Sequence, residues 1–205
     1  MTDTLDVCPA ENRKLRLQLT QTTQSCWLAA VLAQFDDFLS DHASCEKKAS
    51  GMALSIAAHY PDKPVLVRAM SELAVEELSH YREVTRLLLD RGVEPGPDTK
   101  DPYIHQLNRL IRRGSEFFLT DRLLIAAIVE RRGHERFGLV AEALPLGSEK
   151  RFFQALTLSE KRHHELFLEL AELYCPLRQT QDRLSELCEM EGELIRKLPC
   201  RAALH

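Results

Sequence analysis

The stretches AVEELSHYREV at residues 74–84 and LTLSEKRHHEL at residues 156–166 decide the fold of this chain. Each contains a Glu-x-x-His motif, Glu77 with His80 in the first and Glu160 with His163 in the second. Residues three apart lie on one face of a helix, so each motif would present a carboxylate and an imidazole side by side. Such motifs also arise by chance in a chain with 8 histidines, so the two need support from the rest of the sequence.

Two single glutamates supply that support. Glu46 precedes Glu77 by 31 residues, and Glu130 precedes Glu160 by 30. Apolar residues recur at helical spacing around all four glutamates, which predicts that they face a core. An ionised carboxylate in a core is costly unless it is paired or binds a metal. A Glu from each of two helices and a Glu-x-x-His from each of two others form the ligand set of a dinuclear site in a four-helix bundle.

We therefore interpret six side chains as metal ligands. Any one of them alone would more simply be a solvated or salt-bridged residue on a helix surface. Four carboxylates in one core would repel one another, whereas two divalent cations would balance their charge and two imidazoles would complete the site. The predicted ligands are Glu46, Glu77, His80, Glu130, Glu160 and His163. If the helical register is wrong, Glu76 and Glu135 are the next candidates.

The composition predicts an all-α protein. Only 8 glycines and 9 prolines interrupt a chain rich in helix formers, and no strand pattern bounded by turns is visible. We expect a single domain over residues 1–205, with a metal-binding bundle at about 25–175 and a C-terminal helix at about 180–198. The formal net charge of −4 gives no global attraction to nucleic acid, so contact with RNA would need a local basic patch.

Prolines and glycines divide the chain into helices. A polar N-terminal segment comes first, and the first helical stretch, which can contain a break, ends before Pro61. Gly92 is a predicted C-terminal cap, and Ser148 a predicted N-terminal cap. The predicted helical segments are about 25–60, 64–91, 102–113, 115–144, 148–175 and 180–198.

The six cysteines form no C-x-x-C pair, and we expect them to be reduced thiols. Residues 1–13 lack the apolar core of a signal peptide, and no apolar run reaches the ~18 residues of a membrane span. The expected location is therefore the cytoplasm.

The residues around the motifs resemble a known family. The segments EELSH at 76–80, AIVERR at 127–132 and SEKRHH at 159–164 are similar to those of the ferritin-like di-iron carboxylate superfamily. More narrowly, the chain resembles the bacterial tRNA hydroxylases that act on 2-methylthio-N6-isopentenyl-adenosine beside the anticodon. The likeness runs from Phe38 through His163. It implies a ferritin-like four-helix bundle with an additional N-terminal segment, a short helix before the third long helix and a C-terminal helix.

The resemblance also implies an activity. The protein would be an O2-dependent monooxygenase with two iron ions, served by an electron-transfer protein or reductase. Glu77 and Glu160 would bridge the two irons, one held with Glu46 and His80 and the other with Glu130 and His163. The substrate would be the modified adenosine in tRNA, and the protein a monomer or dimer without membrane attachment. The alternatives are another di-iron oxidase or peroxidase, a ferroxidase or iron-storage subunit, and a helical interaction protein without metal.

A branched, apolar isopentenyl tail would need an apolar channel beside the irons. Candidate wall residues are Phe35, Phe38, Leu39, Phe137, Leu166 and Phe167, although each of them taken alone is more simply ordinary core.

Other residues close to the motifs have open roles. His42 and His134, each four residues from a predicted ligand, are either supporting groups or ordinary histidines. His164 should point away from the site. Gly133 either loosens its helix or allows close packing.

Candidate RNA contacts come from two basic clusters, because cations would neutralise the phosphates of an anticodon loop. For most of these residues a solvated helix surface is the simpler interpretation. The first cluster is Arg131, Arg132, Arg136, Lys150, Arg151, Lys161 and Arg162, and the second is Arg109, Arg112 and Arg113.

Overall fold

The structure, a computed structural model, describes residues 14–205, so Cys8 and the start of the predicted N-terminal segment lie outside the described residues. The described chain folds into helices without a strand, as the composition predicts. The helices are α1 (Ser25–Ala33), α2 (Phe35–His59), α3 (Pro64–Asp90), α4 (Pro102–Asn108), α5 (Ser115–Ala143), α6 (Ser148–Tyr174) and α7 (Leu177–Lys197).

Local sequence signals set most of these boundaries. Gly92 ends α3 with a φ of 75°, a left-handed conformation that favours glycine, and Val93 N donates to Leu88 O over 3.0 Å. Asp101 caps α4 by accepting from the backbone N–H groups of Tyr103 and Ile104. The break in the first helical stretch falls at Gln34, between α1 and α2.

The predicted boundaries differ in three places. The short helix ends at Asn108 rather than Arg113, and α7 begins directly after Pro176. Ser148 is the first residue of α6, and its cap is Gly147.

The four long helices form the bundle, in which α2 packs along α3 and α5 packs along α6. Two apolar clusters fill its ends. One contains Ile56, Met70 and Ile128, and the other contains Phe38, Val84, Phe137 and Phe153. Each long helix contributes to both clusters, and the predicted ligands lie between the two contributions. The bundle therefore has a polar layer between two apolar ends.

The N-terminal part of the described chain and the C-terminal tail close over the bundle. Residues 14–24 run without helix or strand past α7, where Thr20 Oγ1 donates to Cys188 O over 3.1 Å. Gly192 permits this approach, because a β-carbon there would lie 2.1 Å from Thr20 Oγ1. In the C-terminal tail, residues 198–205, Ala203 O accepts from Trp27 Nε1 over 2.8 Å and Leu204 N donates to Asp41 over 2.7 Å.

A disulfide joins Cys26 at the start of α1 to Cys200 in the C-terminal tail. The prediction that the cysteines are reduced thiols is wrong for this pair, whereas Cys45, Cys175 and Cys188 are free. The partners lie 174 residues apart, so no spacing in the sequence indicates their pairing.

Among residues 14–205, no helix combines the length and the apolar character that a membrane span requires.

Candidate metal centre

The six predicted ligands come together in the polar layer of the bundle. Glu46 comes from α2, Glu130 from α5, and the two Glu-x-x-His motifs come from α3 and α6. Three of the four motif residues, Glu77, Glu160 and His163, are buried, and the His80 side chain is 12% exposed. Each single turn of helix thus places its carboxylate and imidazole on the inward face, as the spacing predicts.

Both imidazoles turn their Nδ1 atoms toward the carboxylates. His80 Nδ1 lies 3.2 Å from Glu77 Oε2 and 3.7 Å from Glu46 Oε2. His163 Nδ1 lies 3.0 Å from Glu77 Oε1, 3.8 Å from Glu130 Oε2 and 3.9 Å from Glu160 Oε2. Glu77 therefore contacts one histidine through each of its oxygens.

The donor atoms form two overlapping groups. In one, atoms of Glu46, Glu77, His80 and Glu160 all lie within 4.8 Å of one another. In the other, the same holds for Glu77, Glu130 and His163. Because Glu77 is common to both groups, its position supports a bridging role between two cations. Glu160 belongs to the first group and also faces His163 of the second.

Hydrogen bonding accounts for only part of this donor set, in which His80 Nδ1 is bonded to Glu77 Oε2. Glu77 Oε1 and His163 Nδ1 are buried, lie 3.0 Å apart, and yet lack the alignment of a hydrogen bond. Buried polar atoms without a partner are rare in proteins and require an explanation. Carboxylate oxygens and imidazole nitrogens that converge without bonding one another are suited to a shared cation. The residues therefore fit the two-metal site that their pattern predicts.

Without bound cations, protons would balance the charge of the site. Burial raises the pKa of Glu77 to about 7, and burial with the charge of Glu130 raises the pKa of Glu160 well above its usual value. Burial alone would lower the pKa of each histidine, but the facing carboxylates raise it to about 10 for His80 and about 11 for His163. Protons on these groups at neutral pH are what incoming metal ions would displace.

His42 supports the cluster from α2. Its ring is fully buried, and Nε2 lies 2.5 Å from Glu46 Oε1. Burial favours the neutral acid, but the charge and hydrogen bond of His42 hold the pKa of Glu46 well below its usual value. The ring packs against Phe137 with centroids 4.7 Å apart. The sequence left His42 as either a supporting group or an ordinary histidine. Its contact with Glu46, a predicted ligand, favours the supporting role.

Glu76 and Ser159 lie on the outer side of both imidazoles. Glu76 Oε2 is 3.4 Å from His163 Nε2, and Ser159 Oγ donates to Glu76 Oε1 over 2.5 Å. Ser159 Oγ also lies 3.5 Å from His80 Nε2 and 3.4 Å from His163 Nε2. Outer partners of this kind fix the orientation of a ligating imidazole. The sequence indicates Glu76 only as a reserve ligand and gives no signal for Ser159.

The side chains of the other polar residues considered near the motifs point away from the cluster. His134 Nδ1 lies 2.7 Å from Thr157 O, and His164 Nδ1 lies 3.1 Å from Glu160 O. Glu135 accepts hydrogen bonds from Thr23. None of these contacts places the side chain among the converging donor atoms.

A cavity of about 620 Å³ lies against the carboxylate side of the cluster. All four predicted glutamate ligands line it, whereas neither predicted histidine ligand does. Its walls are largely apolar and come from α2, α4, α5 and the C-terminal tail. They include Met52, Ile104, Leu107, Ile111, Ile125, Ala126, Val129, Phe137 and Leu204.

Gly133 lies where this cavity meets the cluster. A β-carbon there would lie 3.4 Å from Glu160 Oε2, and α5 continues through this position without interruption. The glycine therefore does not break its helix, and a β-carbon at this position would make only ordinary van der Waals contact with Glu160.

The structure corrects the predicted channel wall. Of the candidates, only Phe137 lines the cavity. Phe38 and Leu39 are buried at one end of the bundle, and Phe167 is buried at the other. The correction has a simple cause: apolar residues on the inward face of a helix serve the packed core before they serve a cavity. The other two candidates, Phe35 and Leu166, pack at the edges of the same clusters.

The structure also removes two residues from the predicted RNA surface. Arg132 is 0% exposed and binds Glu191 of α7 through two hydrogen bonds, Nε to Oε1 over 2.9 Å and Nη2 to Oε2 over 3.0 Å. Arg136 is 5% exposed, stacks over Trp27 and donates to Leu204 O. Both arginines tie other parts of the chain to α5, because their side chains point inward beside the bundle.

Most of the other members of that cluster have partners within the protein. Lys161 pairs with Glu165 over 3.7 Å, and Arg162 with Glu76 over 2.7 Å. Lys150 donates to two carbonyl groups at the end of α5, those of Glu142 and Leu144. Arg151 is exposed, and Arg131 is partly exposed.

Fold and site together define a class of protein. Four long helices carry four carboxylates and two imidazoles inward, which is the arrangement of the ferritin-like dinuclear carboxylate proteins. A solved structure described as "Protein 43 with aldehyde deformylating oxygenase activity from Synechococcus" has a TM-score of 0.87 to this chain. It is 33% identical, and the match covers 91% of this chain and 94% of that one.

Sequence comparison narrows the class. The family described as "tRNA-(MS[2]IO[6]A)-hydroxylase (MiaE)" matches residues 11–205, and the chain belongs to that family. The "tRNA 2-(methylsulfanyl)-N(6)-isopentenyladenosine(37) hydroxylase" of Pseudomonas putida is 40% identical over 154 residues, which is 74% of either chain. The enzyme of the same name from Salmonella typhimurium is 28% identical over 130 residues, covering 63% of this chain and 47% of that one.

Proposed function

We propose that the chain is a di-iron monooxygenase that hydroxylates the isopentenyl group of 2-methylthio-N6-isopentenyl-adenosine next to the anticodon of tRNA. Membership of the family and the names of both relatives support the substrate. The observation that carries the proposal is the apolar cavity whose inner end is formed by the four clustered glutamates. An apolar tail that enters this cavity would reach the metal-binding groups directly.

The protein's residues would have distinct tasks. Glu46, Glu77, His80, Glu130, Glu160 and His163 would hold two iron ions. When bound, the iron pair would supply the reaction with O2 that hydroxylation of a C–H bond requires and that no side chain can provide. The apolar wall would hold the tail in place and exclude water from it. His42, Glu76 and Ser159 would fix the orientation of the ligands.

The proposed reaction needs two partners besides tRNA. Inserting one oxygen atom of O2 and reducing the other to water consumes two electrons, so an electron-transfer protein or reductase must supply them. We infer a monomer or dimer, since the bundle carries a C-terminal helix and tail that a storage shell does not need. Size-exclusion chromatography with light scattering would test this against a cage of many subunits.

The direct test is a reconstituted reaction. The protein is loaded with Fe(II), given O2 and a reducing system, and incubated with the nucleoside 2-methylthio-N6-isopentenyl-adenosine. We expect a product one oxygen atom heavier, absent when iron is omitted and labelled when 18O2 is supplied. No product from either the nucleoside or modified tRNA, with iron bound in full amount, would contradict the proposal.

The solved structural neighbour favours a second candidate. It is described as having aldehyde deformylating oxygenase activity, and it shares the fold over almost its whole length. The apolar cavity could also accept a fatty aldehyde. Parallel assays with a medium-chain aldehyde would decide between the two, because the proposed function expects turnover of the nucleoside and the second candidate expects release of formate.

A further inference from the structure

A further group of metal-binding side chains lies on the cavity wall, outside the dinuclear centre. Cys45, Asp101 and His205 each offer one donor atom, and these three atoms all lie within 4.8 Å of one another. All three residues line the cavity, and none of them belongs to either donor group of the centre. The fold therefore brings a sulfur, an oxygen and a nitrogen donor together at a second place.

The three residues come from segments that are far apart in the sequence. Cys45 lies on α2, Asp101 caps α4, and His205 belongs to the C-terminal tail. The two oxygens of Asp101 have different surroundings. Oδ1 accepts from two backbone N–H groups of α4, whereas Oδ2 lies 3.2 Å from His205 Nδ1. One oxygen thus maintains the helix cap, and the other faces the cluster.

Hydrogen bonds satisfy this cluster only in part. The His205 side chain is 5% exposed, and its Nε2 atom is buried without a hydrogen-bond partner within residues 14–205. Cys45 Sγ makes a long contact of 3.7 Å with Asp41 Oδ2, an oxygen that also accepts from Leu204 N over 2.7 Å. A buried polar atom without a partner commonly marks a missing water or ion. The cluster therefore has donor atoms to spare for a bound group.

The types of donor atom select the class of cation. Cysteine sulfur, histidine nitrogen and carboxylate oxygen are the ligands of Zn(II) in proteins, at about 2.3 Å for sulfur and about 2.0 Å for the other two. Two ligands at about 2.0 Å and a tetrahedral angle lie about 3.3 Å apart, which matches the 3.2 Å between His205 Nδ1 and Asp101 Oδ2. Calcium and magnesium prefer oxygen ligands alone, so they suit this set less well.

We propose that Cys45, Asp101 and His205 bind one divalent cation of the zinc class, at a mononuclear site separate from the dinuclear centre. The thiolate and the carboxylate would balance the charge of the ion, and water would fill the fourth tetrahedral position. The ion would join α2, the start of α4 and the C-terminal tail, so its binding would stabilise the folded form. The proposal goes beyond the proposed function and does not depend on which reaction the dinuclear centre catalyses.

The test uses Co(II) as a spectroscopic substitute for Zn(II), added without oxygen to protein whose dinuclear centre already holds Fe(II). Co(II) bound to a thiolate shows a sulfur-to-metal charge-transfer band in the near ultraviolet. The dinuclear centre cannot produce this band, because its predicted ligands include no cysteine. We expect the band to saturate at about one Co(II) per chain and to disappear when Zn(II) is added, since Zn(II) binds more tightly than Co(II) to a given site.

Variants of the ligands and of the other cysteines identify the site. Cys45→Ser should abolish the band, and His205→Gln should weaken Co(II) binding by about tenfold or more. The matched controls remove the other cysteine sulfurs outside the disulfide one at a time and should keep the band. These controls are Cys8→Ser, Cys175→Ser and Cys188→Ala. Iron content and thermal melting of each variant establish that the dinuclear centre and the fold are intact.

Three results would overturn the proposal. They are no band from the wild type in excess Co(II), a band that persists in Cys45→Ser, and wild-type affinity in His205→Gln. If Cys45→Ser also lost its iron, through its neighbour Glu46, the His205→Gln variant would decide. None of these measurements involves hydroxylation, so a failure of the proposed function would be seen separately, as no hydroxylated nucleoside from the wild-type protein.

Discussion

At the scale of single residues, the chemistry of the centre rests on side chains that would be costly without a cation. Glu77 is the most informative of them, because its two oxygens face different histidines. Its neighbour Glu76, on the same turn, instead lies outside the cluster against His163 Nε2. A shift of one residue along a helix thus separates an expected ligand from an outer partner, since adjacent side chains differ in direction by about 100°.

Glu77→Ala should abolish binding of the iron pair, because the substitution removes the carboxylate common to both donor groups. We expect well under one iron per chain by metal analysis after loading and desalting, against about two for the wild type. Glu142→Ala, at an exposed position near the end of α5, is the control and should keep its iron. Retention of two irons by Glu77→Ala would show that this residue is not a bridging ligand.

Metal binding should strengthen as the pH rises. The raised pKa values of His80, His163, Glu77 and Glu160 mean that these groups hold protons at neutral pH, and a metal ion must displace them. Falling pH favours the protonated form, so protons compete more strongly there. Titration with Co(II) should show affinity rising by about tenfold or more per pH unit between about pH 6 and about pH 8. An affinity independent of pH would contradict these protonation states.

At the scale of helices, α7 is held to the bundle by a buried ionic contact rather than by apolar packing alone. Arg132 of α5 and Glu191 of α7 are both fully buried, and Tyr103 of α4 donates to Glu191 Oε1 over 3.0 Å. Three helices therefore meet at one carboxylate. A helix with as many charges as α7 would otherwise have a surface position as its simplest placement.

Arg132→Met should destabilise the fold strongly, because it would leave the Glu191 carboxylate buried without its cation. Removing one partner of a buried pair costs about 3–5 kcal/mol. Urea unfolding followed by circular dichroism would measure the loss. The neighbouring, partly exposed Arg131→Met should change stability by less than about 0.5 kcal/mol. A similar loss of unfolding free energy in both variants would show that the buried Arg132–Glu191 pair does not stabilise the fold more than an exposed arginine does.

At the scale of the whole molecule, α1 is joined to the C-terminal tail, and the tail completes the cavity wall. The Cys26–Cys200 disulfide holds the C-terminal tail, in which Leu204 and His205 line the cavity. Helices far apart in sequence thus line one cavity together with residues 204 and 205. The architecture links the stability of the tail to the shape of the cavity.

Cys26→Ser should lower the free energy of unfolding by about 2–4 kcal/mol, because the disulfide closes a very long loop in the unfolded chain. Dithiothreitol should reduce the stability of the wild type to that of the variant and leave the variant unaffected. Full alkylation of both cysteines in the unreduced native protein would show that the bond does not form.

Much of the fold and of the centre follows from local sequence. The helix limits near Gly92, Pro64 and Pro102 come from backbone chemistry that acts within a few residues. The inward direction of the six predicted ligands follows from the helical period, and their chemistry from the cost of burying unpaired carboxylates. The sequence by itself therefore determined an all-α bundle with a polar layer of these six side chains.

Features that depend on contacts between distant segments were decided only by the tertiary structure. No local signal distinguishes Arg132, which is buried against Glu191, from Arg131 beside it. The same holds for the cavity wall, for the pairing of Cys26 with Cys200, and for the position of Ser159 beside both histidines. The physical reason is that a periodic pattern fixes which way a side chain points, whereas its partner depends on how the helices pack.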